Sequence, residues 1–214
     1  MNGAHLMLNV FALLIGLCHF VLIAVYFGGL VEDGTSRYVS NLISSDALYM
    51  NLQTLFVLLQ FTCCFGFVRF HATKSTAFRV AVETMFLIIA WVGWLVLILC
   101  YGSVSELSGL HFCGVGLFFC GVVVYFMLLI FELYSVSENM VVGGVLLGLY
   151  FTSIVFGTLF MVGFFNEWGA AWVFEHLAFM TFALSHVFLF AVDVCADVEV
   201  EMGMFKDIRI GRRV

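Results

Sequence analysis

The chain has 214 residues, of which 64% are hydrophobic and only 10% charged, and its formal charge is −6 at pH 7. A soluble domain carries roughly 25% charged residues, so no room is left for a soluble catalytic domain. Eight Lys and Arg spread along the chain form no basic patch for nucleic acid, and no nucleic-acid partner is expected.

Six apolar runs, at 6–30, 48–67, 80–100, 110–131, 140–165 and 171–194, approach or exceed the roughly 20 residues that a spanning helix needs. The first has no Lys or Arg before it and is too long for the apolar region of a secretion signal. It is expected to be a retained helix with His19 near its middle. The connection 31–47 holds Glu32, Asp33, Arg37 and Asp46 among small residues. Gln53 and Gln60 in the second run are seven residues apart and share a face, which suits hydrogen bonding to a neighbouring helix.

A short basic connection, 70–79, leads into the third run, where Glu83 follows Arg79 at i+4. That spacing predicts an interfacial ion pair. The fourth run opens with His111 and contains Gly114, Gly116 and Gly121, with Gly109 just before it; the fifth contains Gly144 and Gly148. Small residues at such spacing permit close helix approach. The sixth run is the most polar, with Glu175, His176, His186 and Asp193. Eleven and seven residues separate Glu175, His186 and Asp193, so at about 100° per residue they return to nearly one bearing. The links between runs are short, which favours sequential antiparallel neighbours in one bundle.

Lys and Arg stay on the cytoplasmic side of a bilayer. Threaded as six spans, the chain puts Arg69, Lys74, Arg79, Lys206, Arg209, Arg212 and Arg213 with its two ends and only Arg37 opposite. The expected fold class is therefore all-α: a polytopic membrane protein of six transmembrane helices, N-in/C-in. It forms a single domain over 1–214, with a charged cytosolic or matrix-side tail at 195–214.

Ionisable groups within a bilayer are costly and point to function. The stripe of Glu175, His186 and Asp193 fits a proton relay or a lipid-headgroup site; it fits equally two interfacial carboxylates and a histidine bonded to another helix. His111, Glu175 and His176 lie near the outer ends of runs four and six and are candidates for a polar, lipid-binding pocket. His176 and His186 stand about 15 Å apart along one helix and cannot together hold one haem. His111 and His176 share a depth, but haem is not expected, nor is a metal. No nucleophile elbow, zinc-protease motif, P-loop or dinucleotide fingerprint is present, so no catalytic residue is expected.

The seven cysteines include no C-x-x-C pair and read as packing residues. Cys195, just past the last run, sits where palmitoylation occurs. Proline is absent, although about ten would be usual at this length, and straight helices follow. Biased coding in an organelle genome would produce such a deficit.

Glu106-Leu107, His111 and the run Cys120-Gly121-Val122-Val123-Val124-Tyr125 resemble the fourth helix of the damage-regulated autophagy modulator (DRAM)/Frag/Sfk family. Arg37-Tyr38-Val39-Ser40-Asn41, Val68-Arg69-Phe70 and the trio Glu175, His186 and Asp193 resemble further family segments in the same order. Asp193 stands one residue beyond the family's spacing, and the family's first-loop prolines are missing. The resemblance implies a non-enzymatic six-span protein of the lysosome, Golgi or plasma membrane. Such a protein organises lipid or recruits partners and binds lipid as its only cofactor.

A second resemblance, to cytochrome oxidase subunit three, rests on Leu146-Leu147-Gly148-Leu149-Tyr150-Phe151-Thr152 and Thr73-Lys74-Ser75-Thr76. The seventh span of that family is lacking. It implies a structural subunit of a mitochondrial inner-membrane assembly, with other transmembrane subunits as partners.

Overall fold

The computed structural model describes residues 3–34, 47–71, 77–100, 108–136 and 140–202, with side chains at 6–34, 48–66, 77–100, 109–129, 144–192 and Val194. Six helices occupy them: α1 (Gly3–Glu32), α2 (Ala47–His71), α3 (Ala77–Leu99), α4 (Ser108–Val136), α5 (Met140–Phe165) and α6 (Ala171–Met202). Each contains a stretch long and apolar enough to cross a membrane, from Leu6–Glu32 in α1 to Ala171–Val192 in α6. The protein is an all-α integral membrane protein with six such helices. Inside a bilayer only a helix or a closed barrel satisfies every backbone group, which is why long apolar runs fold this way.

Helix bounds follow the apolar runs closely except at the end. There α6 continues from Val194 to Met202, through residues read from the sequence as tail. The segment Cys195–Met202 contains neither Gly nor Pro, and Gly203 follows it. Nothing breaks the i→i−4 ladder before that glycine. Arg37–Asn41, Lys74, Glu106, Lys206, Arg209, Arg212 and Arg213 lie outside the described residues, as do the side chains of Arg69, Asp193 and Cys195.

The chain divides into two packed units. The first contains α1, α2 as far as Gln60, α5 and α6; the second contains α2 from Phe61, α3 and α4. In the first unit α6 is the innermost helix, with 56% of its span buried against 28% for α1 and for α5. Small residues let it be so. Ala171 and Ala183 are wholly buried, and a Cβ on Gly16 of α1 would lie 3.0 Å from Val187 Cγ2 and 3.4 Å from the Val187 amide nitrogen. Ser153 Oγ on α5 donates to the Ala178 carbonyl at 3.0 Å, a polar link of the kind that joins helices in lipid.

The turn from α5 to α6 is tight. Trp168 N–H donates to the Gly163 carbonyl at 2.8 Å and Glu167 N–H to the Phe164 carbonyl at 3.2 Å, the pair of bonds of a Schellman cap. Glu167 holds the left-handed position, φ 56°, that such caps usually give to glycine.

In the second unit α3 and α4 meet backbone to backbone. A Cβ on Gly114 would stand 2.5 Å from the Leu97 nitrogen, and one on Gly121 would stand 2.5 Å from the Ala90 nitrogen. A Cβ on Gly93 would collide with the Phe118 nitrogen. Gly109, Gly116 and Gly148 face open space. Trp94 is wholly buried, with its ring 5.2 Å from that of Phe118. Large apolar side chains such as Met7, Leu14, Phe78, Leu99 and Phe151 point outward, as a surface in contact with lipid requires.

Candidate functional site: a buried polar column in the first unit

Eight polar side chains of α1, α2 and α6 are buried inside the first unit. Asn9 and His19 of α1, Gln53 and Gln60 of α2, and Glu175, His176, Ser185 and His186 of α6 are all at least nine-tenths buried. The apolar faces of the same helices look outward. In hydrocarbon, exposed polar groups cannot be hydrated, so burial against one another is their favourable arrangement.

His19 is the centre of this set. Its Nδ1 lies 2.7 Å from Oε1 of Gln60. A carboxamide oxygen only accepts, so Nδ1–H donates and the neutral ring leaves Nε2 as a bare acceptor. Neither His19 Nε2 nor Gln60 Nε2 has a hydrogen-bond partner among the described residues. The carboxamide of Gln53 also approaches this imidazole, yet neither of its polar atoms completes a hydrogen bond of normal geometry. His186 of α6 lies near enough to His19 to interact with it electrostatically. Phe56 stacks on the His19 ring at 5.9 Å.

Ring contacts give the register. Phe27 meets Trp172 and His176, while Gly16 backs onto Val187, so α1 and α6 are antiparallel. Tyr26 stacks on Tyr49 at 4.0 Å and His19 on Phe56, so α1 and α2 are antiparallel as well. At 1.5 Å per residue, Gln53 then lies about 4.5 Å above His19, towards the α5–α6 turn. His176 lies about 12 Å above it on the same scale. On the other side His186 is about 3 Å, the Gln60 backbone about 6 Å and Asn9 about 15 Å below. The buried polar groups thus form a column, with no axial gap beyond about 9 Å.

Two histidines at similar depth on different helices are what a bis-His haem requires. The α1 and α6 backbones pass close together at Gly16 and Val187, within one turn of His19 and His186.

The residues singled out from the sequence divide between the units. Glu175, His176 and His186 belong to the first. His176 Nδ1–H donates to the Trp172 carbonyl at 2.9 Å, and its Nε2 has no hydrogen-bond partner among the described residues. His186 bonds to the backbone at Phe182 and packs its ring 4.8 Å from the Phe182 ring. Asp193 is in α6, with its side chain outside the described set.

His111, Arg79 and Glu83 belong to the second unit. His111 is half-buried, and its Nδ1–H donates to the Leu97 carbonyl at 3.0 Å, tying α4 to α3. Arg79 Nε reaches Glu83 Oε1 at 3.0 Å, and its Nη2 donates to the Leu128 carbonyl at 2.9 Å. No group of three or more His, Cys, Asp or Glu with metal-binding geometry occurs among the described residues.

Sequence reasoning left His19, Gln53 and Gln60 outside the candidate site. Two signals would have found them. His19 stands at the midpoint of its apolar run, and the shared face of Gln53 and Gln60 comes to that depth when the two runs lie antiparallel.

Comparison with protein-family models, curated proteins and solved structures finds no match to this chain.

Proposed function

We propose that this integral membrane protein is a non-enzymatic member of the DRAM/Frag type, organising lipid or recruiting partners within an endomembrane. The reading is supported by one observation. Ionisable side chains stand near the N-terminal ends of two apolar helices: His111, half-buried, in α4 of the second unit, and Glu175 and His176, buried, in α6 of the first. Polar groups held at interfacial depth are suited to lipid headgroups, and membrane lipids are the ligands the reading requires. Purification in nanodiscs with mass spectrometry of retained lipid tests it. Either His111→Ala or Glu175→Ala is expected to reduce the retained lipid or the recovery of partner proteins. If both folded variants keep the wild-type lipid and partner profile, this reading fails.

A second reading, a structural subunit of a larger membrane assembly such as a mitochondrial respiratory complex, is favoured by the apolar side chains exposed on α1, α3 and α5. Phe11, Phe78, Phe151 and Phe165 are all more than half exposed. Blue-native electrophoresis separates the two readings: a subunit comigrates with the assembly, and a DRAM-like protein does not.

A further inference from the structure

We propose that the interior of α1, α2 and α6 conducts protons across the bilayer, along a hydrated line that passes His176, Gln53, His19, His186 and Asn9. The inference goes beyond the lipid-organising reading and does not depend on it.

The argument begins with what a purely structural role would leave behind. Polar side chains that merely join helices satisfy one another, because an unmet donor or acceptor in hydrocarbon is costly. Here the interhelical bond from His19 to Gln60 satisfies only one atom of each partner. His19 Nε2, Gln60 Nε2, both polar atoms of Gln53 and His176 Nε2 have no hydrogen-bond partner among the described residues. None of these four side chains is more than 2% exposed. The unmet set mixes acceptors with donors and is spaced along the membrane normal. Water is the smallest molecule that offers both, and buried water characteristically bridges such groups. Between the levels of His176 and His186 the largest axial step is about 7.5 Å, and from His186 to Asn9 it is about 12 Å by backbone rise, with Gln60 between them. The proposed line requires side chains and bridging waters to cover those steps.

His19 is the proton-binding group. Gln60 fixes the ring by accepting from Nδ1–H, so the ring can gain a proton only at Nε2. A proton arriving on a water from the Gln53 side adds to Nε2, forming imidazolium and leaving neutral water. It then leaves the same nitrogen for a water on the His186 side, which restores the neutral ring. No other bond changes, and Nδ1–H stays with Gln60 throughout. The carboxamides hold water and stabilise the cation through their oxygens without carrying the proton. Around His19, α2 presents Gln53, Phe56 and Gln60, all uncharged, and α6 presents His186, its titratable neighbour. Two imidazolium ions so close repel, so one proton occupies this stretch at a time. No energy source is coupled to the path, and the flux follows the electrochemical gradient.

The full chain in neutral-phospholipid liposomes, with a valinomycin-imposed potassium potential and an entrapped pH dye, tests this directly. Wild-type vesicles are expected to acidify several-fold faster than protein-free ones. His19→Phe and His19→Gln should fall to the protein-free rate, and Gln53→Leu should fall several-fold. His19→Gln retains a polar side chain facing Gln60 while removing the titratable nitrogen. Leu14→Ala, on the outward face of α1, should conduct as wild type. Circular dichroism and gel filtration establish that each variant is folded before it is scored. Wild-type flux no greater than that of empty vesicles overturns the proposal. So does a folded His19→Gln variant that conducts as well as the wild type.

Discussion

His19 Nδ1 and Gln60 Oε1 lie 2.7 Å apart, although 41 residues of chain separate them. Both side chains are buried, and the bond pins α1 to α2 at mid-membrane depth. The bond also selects the tautomer of His19, and through it the free nitrogen on which the proposed proton path depends.

Replacing Gln60 by Leu should remove this acceptor and strand the Nδ1 donor. Leaving a buried donor unmet costs roughly 1–3 kcal/mol, while coupling between polar pairs in membrane helices averages about 0.6 kcal/mol. The expected loss is therefore roughly 1 kcal/mol. In the doubly substituted protein, with His19→Leu and Gln60→Leu, part of that loss should return. Mixed-micelle unfolding with a double-mutant cycle measures the difference, and strict additivity would contradict the pairing.

Gly121→Ala should destabilise the second unit more than Gly116→Ala. A Cβ at position 121 would stand 2.5 Å from the Ala90 nitrogen, whereas position 116 is open. Backbone cannot move aside as a side-chain tip can, and overpacking typically costs roughly 1–3 kcal/mol. Thermal stability in detergent, followed by gel filtration, should drop for the first variant and stay level for the second.

Removing Arg79 should be worse than removing the whole ion pair. Arg79→Ala leaves Glu83, with only 5% of its side chain exposed, facing no guanidinium at 3.0 Å. Breaking one side of a buried pair costs more than replacing both with apolar residues; since Arg79 is 25% exposed, a loss of roughly 1–3 kcal/mol is expected. The variant carrying both Arg79→Met and Glu83→Met should unfold nearer the wild type than Arg79→Ala does. The reverse order in a denaturation series would rule out this account.

Glu167→Gly should stabilise the α5–α6 turn. Glu167 sits at φ 56°, a conformation costing a side chain roughly 1–2 kcal/mol. Glycine accepts it freely but adds entropy to the unfolded chain. A net gain of about 0.5–1 kcal/mol is expected, against a loss for Glu167→Val. Unfolding midpoints of the two variants on opposite sides of the wild type are the predicted signature.

Much of the architecture was legible before any coordinates. Six apolar runs mark the helices because crossing a bilayer is a requirement on composition and length, both local properties. Gly114 and Gly121 were legible as candidates for close approach. Which glycines in fact touch was not: Gly116 and Gly121 lie in the same helix, and only one meets a backbone. Gly93, on the partner helix, stands out only when α3 and α4 are docked. Helix α6 runs on past the last apolar residue to Met202, an extension that hydropathy cannot mark because helix formation does not require it.

The site was less legible than the fold, and the reason is physical. Helices that are apolar nearly all round show no strong stripe to reveal which side faces a neighbour. His19 could be placed at the middle of its run, but its inward turn and its partners could not.

Composition alone settled that this chain lives in a membrane and crosses it with helices, since the cost of unpaired backbone in lipid allows a long apolar chain little else. Tertiary structure decided which polar groups meet across helices: His19 with Gln60 and His186, Arg79 with the Leu128 carbonyl, His111 with the Leu97 carbonyl. Those meetings depend on helix rotation and register, which are set by packing between segments distant in sequence.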